Sequence, residues 1–158
     1  NYKMRLIEST GNVSSPLPQM TFNSKIIIGI AALDKILNDV GVISEKITID
    51  TSSNSVSNNK TTAIFSGNSD RGEARIIMQS DNDDKNKVES LQEITAKENS
   101  KSTYNIDFIS KIIRAIGNQS SSNLVTIEYS SNKPLRLEFL LLSGMVRIQF
   151  YLAPRVQD

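Results

Sequence analysis

Two periodicities of apolar residues organise this chain. Short runs rich in Ile, Val, Thr, Phe and Tyr predict strands at 2–7, 25–28, 61–65, 73–78, 134–140 and 146–151. Between them, Ile30, Leu33, Leu37 and Val40 recur at i, i+3, i+7 and i+10, the spacing of one helix face. Ile106, Ile109, Ile113 and Ile116 repeat that spacing. Each helical pattern closes on a glycine, Gly41 and Gly117, which predicts helix ends with glycine in the C′ position.

The chain also repeats itself. Residues 47–54 (ITIDTSSN) match 125–132 (VTIEYSSN), and each follows a helix and a polar turn. The unit is strand, helix, then three strands, used twice. Two short helices cannot bury themselves as a bundle, so they are expected to cover one face of an antiparallel sheet. The fold class is therefore α+β. Ser- and Asn-rich loops are expected at 52–59 and 118–123, and the most polar loop at 80–87. Residues 8–19 read as a linker: small polar residues lead to two prolines, with Leu17 and Phe22 as large apolar groups in or just beyond it. Asn1 enters directly into a strand pattern, as if a longer protein preceded it.

The last strand ends unusually. It runs into Tyr151, Leu152, Ala153 and Pro154 instead of a polar turn, and proline has no N–H to continue pairing. These residues either cap the protein's own core or form a surface for a partner.

Composition removes several kinds of chemistry. The chain has 158 residues, enough for one domain with a core and short for two. It contains no cysteine, hence no disulfide or thiolate, and no histidine, the usual general base and metal ligand. Net charge is +1, so any nucleic-acid contact must come from a local patch. No membrane-spanning run or signal peptide is visible. Asp81, Asp83 and Asp84 suggest a calcium loop, but Asn86 and Gln92 stand where an EF-hand needs Gly and Glu. Asn12, Asn59 and Asn118 fit the glycosylation pattern, as expected by chance in a chain so rich in Asn, Ser and Thr. No nucleophile elbow, phosphate loop or carboxylate pair is present. A non-enzyme without cofactor or metal is expected.

The polar faces of the helices carry Asp34, Lys35 and Asn38 on the first, and Asp107, Ser110, Lys111 and Arg114 on the second. Lys35 and Lys111 are equivalent in the repeat, as are Asn38 and Arg114. By themselves these residues read as a solvated face. The sharper alternative is a shallow cationic surface for phosphate backbone.

Taken together, the doubled unit, the Pro-containing linker, the run 132–139 (NKPLRLEF) and the ending 151–155 (YLAPR) resemble the sliding clamps of the proliferating cell nuclear antigen family. The resemblance implies the DNA-clamp fold, with residues 1–7 as the last strand of a first domain, 8–22 as the interdomain connector and 23–158 as the C-terminal domain. It implies a ring of three subunits around duplex DNA, sequence-independent contacts, and no membrane. It implies tethering of DNA polymerase, nuclease, ligase and clamp loader through short glutamine-plus-aromatic motifs. The partner-peptide groove would consist of Leu17, Pro18, Phe22, Pro134, Tyr151, Leu152, Ala153 and Pro154. Ser15 stands where the family often has a larger apolar residue. Lys35, Asn38, Lys111 and Arg114 would face DNA, with Asn38 and Asp107 at positions that are commonly basic. The strand carrying Arg75, Ile76, Ile77 and Met78 would pair with a neighbour's equivalent of Tyr2, Met4 and Leu6. Such a clamp works inside the cell, in the nucleus of a eukaryote or the cytoplasm of an archaeon. The alternative from another class is a non-catalytic β-rich structural or adhesion module; a third is a naturally short accessory clamp subunit.

Overall fold

A computed structural model describes residues 20–54, 60–80 and 91–155 of the chain. Its elements are β1 (Ser24–Gly29), α1 (Ile30–Gly41), β2 (Lys46–Asn54), β3 (Lys60–Ser69), β4 (Gly72–Gln79), β5 (Leu91–Ala96), β6 (Ser100–Asn105), α2 (Ile106–Ile116), β7 (Leu124–Tyr129), β8 (Leu135–Leu141) and β9 (Val146–Leu152). The doubled unit is β1–α1–β2–β3–β4 followed by β6–α2–β7–β8–β9.

The strands form two antiparallel sheets, of order β5-β1-β7-β8-β9 and β4-β3-β2-β6, where the sequence suggested one. The reason lies in how the units pair. Each unit's three-strand meander is extended by the lead strand of the other: β1 pairs with β7, and β6 pairs with β2. The units thus interlock, and neither sheet is complete without residues from both halves of the chain.

Strand β5, on the outer side of β1, is an element the sequence reading lacks. Its only fully buried apolar residue is Ile94, so no period of two exists to reveal it. The expected loop at 52–59 starts later, because Ser52, Ser53 and Asn54 stay paired to Thr62, Thr61 and Lys60.

Alternation then fixes the core. Along β8, Leu135, Leu137, Phe139 and Leu141 point inward while Arg136 and Glu138 stay on the outer face. The helices close the same core with Leu33, Ile36, Leu37 and Val40 from α1, and with Ile106, Ile109 and Ile113 from α2. Asn105 starts α2 by accepting a hydrogen bond from the Asp107 backbone N–H at 2.9 Å. Ser110, expected on the polar face, is 7% exposed.

Neither glycine at the helix ends adopts a left-handed conformation. Gly117 has φ −55° and continues into a short 3₁₀ turn, while Gly41 is the last residue of α1, followed by right-handed Val42. Their role is space. The end of each helix lies against the start of the other: Gly117 faces Ile30, and Gly41 faces Ile106. The helices therefore run antiparallel across the two units.

Two tyrosines tie the sheets together inside. Tyr129 of β7 lies 3.0 Å from Thr51 Oγ1 and donates to the Ser100 carbonyl at 3.1 Å, both on the other sheet. Tyr104 of β6 donates to the Lys133 carbonyl at 2.8 Å, in the turn before β8. Their rings meet edge to face, with centroids 6.4 Å apart.

Candidate functional site

The outer face of the larger sheet carries a cross-strand row built by register. Glu128 of β7 stands opposite Arg136 of β8, which stands opposite Tyr151 of β9. Arg136 forms an ion pair with Glu128, and its guanidinium lies over the Phe22 ring, 4.6 Å from the centroid. Burial works against the charge of Arg136, but hydrogen bonds to Glu128 and the Tyr151 hydroxyl outweigh it and raise its pKa further. Tyr151 in turn donates to Gln149 at 3.2 Å, and Gln149 donates to Glu138 at 2.6 Å.

The residues before β1 are fastened to the same face. The Asn23 backbone N–H donates to Ser130 Oγ at 3.0 Å, and Ser130 Oγ donates to the Thr21 carbonyl at 3.3 Å. Phe22 and Tyr151, from opposite ends of the chain, therefore share one surface around Arg136.

Beyond Tyr151 the chain turns inward and then along the other sheet. Leu152 is 8% exposed and packs in the core. Ala153 is exposed and Pro154 half-buried, and the Arg155 N–H donates to the Thr103 carbonyl of β6 at 2.8 Å. Between this tail and α2 lies a crevice of about 740 Å³ lined by Phe108, Ile112, Tyr151 and Pro154 among others. Pro134 is half-buried just before β8. Leu17 and Pro18 lie outside the described residues.

Lys35, Asn38, Lys111 and Arg114 are all exposed on the helix pair. Three carboxylates temper them: Asp34 and the exposed Asp39 on α1, and Asp107 on α2. Asp107 pairs with Lys111 at 2.6 Å one turn away, and Asp34 accepts from Asn38 at 3.2 Å. With three cations against three carboxylates the helix pair carries no net charge, and it offers no groove-reading element.

Strand β4 is an edge: it pairs with β3 on one side. Arg75 and Ile77 point outward, with Ile77 55% exposed, while Ile76 and Met78 pack against the core. An exposed isoleucine on an open edge suits addition of a further strand. Tyr2, Met4 and Leu6 lie outside the described residues. No group of His, Cys, Asp and Glu suited to a metal occurs among the described residues, and no helix there is long and apolar enough to cross a membrane.

Sequence reasoning missed Arg136, Glu128 and Phe108. Period two already put Arg136 on the outer face of β8, but the neighbour it meets depends on register, which that pattern does not carry.

Comparison with known proteins defines the class first. A crystal structure of PCNA from Thermococcus kodakaraensis superposes with a TM-score of 0.72 over 95% of this chain and 54% of that one, at 18% identity. The architecture is that of a DNA-clamp domain. Residues 16–155 match the family described as "Proliferating cell nuclear antigen, C-terminal domain". The chain is 42% identical over 157 residues to the DNA polymerase sliding clamp of Nitrosopumilus maritimus, covering 99% of this chain and 56% of that relative. It is 39% identical over the same length to the sliding clamp of Cenarchaeum symbiosum, with the same coverage. The chain belongs to the proliferating cell nuclear antigen family of sliding clamps. It spans about half the length of the curated relatives it matches.

Proposed function

We propose that the chain is the peptide-binding, DNA-facing domain of a polymerase sliding clamp. In this reading residues 1–7 end a first domain, 8–22 connect, and 23–158 form the C-terminal domain. Three subunits close a ring around duplex DNA, without catalysis by the clamp itself. The observation that carries the reading is the shared surface of Phe22 and Tyr151, which brings the end of the connecting segment beside the apolar tail inside a clamp fold. Polymerases, nucleases, ligase and the clamp loader would place a glutamine-plus-aromatic motif there. The aromatic anchor would sit between Phe22, with Leu17 and Pro18 before it, on one side and Tyr151 and Pro154 on the other.

The other surfaces support the same reading. Lys35, Lys111 and Arg114 offer weak, sequence-independent contacts of the kind a topologically closed ring needs. The β4 edge, with Arg75 and Ile77 outward, would pair with the strand bearing Tyr2, Met4 and Leu6 of a neighbouring subunit. Archaeal origin of the two nearer relatives favours work in the cytoplasm.

The test is a titration of the chain with a fluorescent peptide bearing the motif. Binding that weakens about tenfold or more with Leu17→Ala or Tyr151→Ala is expected. No binding, or binding indifferent to both substitutions, would count for the structural-module alternative.

A further inference from the structure

We propose that Arg136 is a positioning residue for the peptide groove: anchored by Glu128, its guanidinium lies over the Phe22 ring and beside its cross-strand neighbour Tyr151, joins them into one surface and so sets the distance between the groove's two walls. The proposal rests on the groove reading above. It concerns a side chain that is itself too enclosed to serve as a peptide ligand, being 23% exposed, with Glu128 at 18%.

The contacts argue for arginine and against a simple charge. A planar guanidinium can stack on an aromatic ring through its face while donating in its plane to a carboxylate. Arg136 does both, over Phe22 and toward Glu128. Its Nε is buried with no acceptor among the described residues. A lysine here could keep one contact and lose the other.

The arrangement also explains why the fastening matters. The backbone around Phe22 is already held by Ser130, through the Thr21 carbonyl and the Asn23 N–H. The ring is the part that the Arg136 guanidinium covers. Removing the guanidinium would leave the strand start in place and free the ring, which lies five residues after Leu17 in the chain. At the other wall, Tyr151 would keep its bond to Gln149 and its place in the β8–β9 ladder, and its side chain would lose the guanidinium beside it. The two side chains would then move independently, and a peptide would have to order them on binding.

The experiment uses the full chain and the same fluorescent peptide. Arg136→Met keeps the stem and removes the fork; Arg136→Lys keeps the charge; Asp70→Asn, an exposed change in the β3–β4 turn of the other sheet, serves as control. Peptide affinity is read by anisotropy and the Phe22 ring by its proton NMR shifts. Arg136→Met should weaken binding about tenfold, Arg136→Lys by a smaller factor, and both should move the Phe22 ring signals. Asp70→Asn should change neither. Unaltered ring signals, or unaltered affinity in Arg136→Met while the unsubstituted chain binds, overturns the positioning role alone. Failure of the unsubstituted chain to bind contradicts the groove itself, and this role with it.

Discussion

A methyl group added at Gly117 would lie 2.9 Å from Ile30 Cγ2, so α2 ends against the first residue of α1 with no room for a side chain. The same addition at Gly41 would meet Ile106 Cγ2 at 3.9 Å, an ordinary contact. The helix pair is thus close-packed at one end and relaxed at the other.

Substitutions at glycine should follow that order. Gly117→Ala is expected to cost about 1 kcal/mol, because a β-branched neighbour must shift while the backbone gains a little from alanine. Gly41→Ala should be neutral or stabilise by about 0.5 kcal/mol. Gly67→Ala should be worst, near 3 kcal/mol, since its methyl would meet Val40 at 2.6 Å and the Lys46 carbonyl at 2.9 Å. Urea unfolding of the three variants ranks them.

The tyrosine pair makes stability fall in alkali. Burial pushes the Tyr104 hydroxyl up from 10.0 to about 12, and pushes Tyr129 up as well, against a lowering by its bond to Thr51. Above pH 10 the unfolded chain releases protons that the folded chain retains, so folding loses ground. The contribution is complete below pH 10 and declines by roughly 1.4 kcal/mol per pH unit per tyrosine as pH approaches 12. Melting curves across that window should show the decline, and Tyr104→Phe should make it shallower. Tyr129→Phe, which strips a donor from the Ser100 carbonyl, should also cost about 1–3 kcal/mol near neutral pH.

The helix face predicts a graded response to charge. Lys35→Ala and Arg114→Ala should each lower affinity for a short duplex and reduce its salt slope by roughly 0.9 per lost phosphate contact. Asp107→Asn releases Lys111 from its 2.6 Å pair and should raise affinity. Titrations at several salt concentrations distinguish this from a face that is merely solvated, for which all three variants would bind alike.

The parts legible in the sequence were those carried by period. Ile30 through Val40 and Ile106 through Ile116 specify their helices, and Leu135, Leu137 and Phe139 specify an inward strand face. What period cannot express is which strands meet. The exchange of β1 and β6 between units follows from pairing across distant segments, and β5 has a single buried isoleucine to announce it. Gly117 was visible as a helix end, yet its reason for being glycine is the presence of Ile30 from the other unit. The family resemblance offered Phe22 and Tyr151 as groove candidates, whereas Arg136 between them became visible only with the register of β7, β8 and β9.

The most direct test of the clamp reading is to map the peptide on the chain by amide hydrogen exchange or NMR shift changes. The account predicts changes at Met20–Asn23, at Leu135 and Arg136 beside Pro134, and at Tyr151, Leu152 and Ala153, with α1 and the outer face of β4 unaffected. Saturating peptide that perturbs only the helices, or nothing at all, would contradict it.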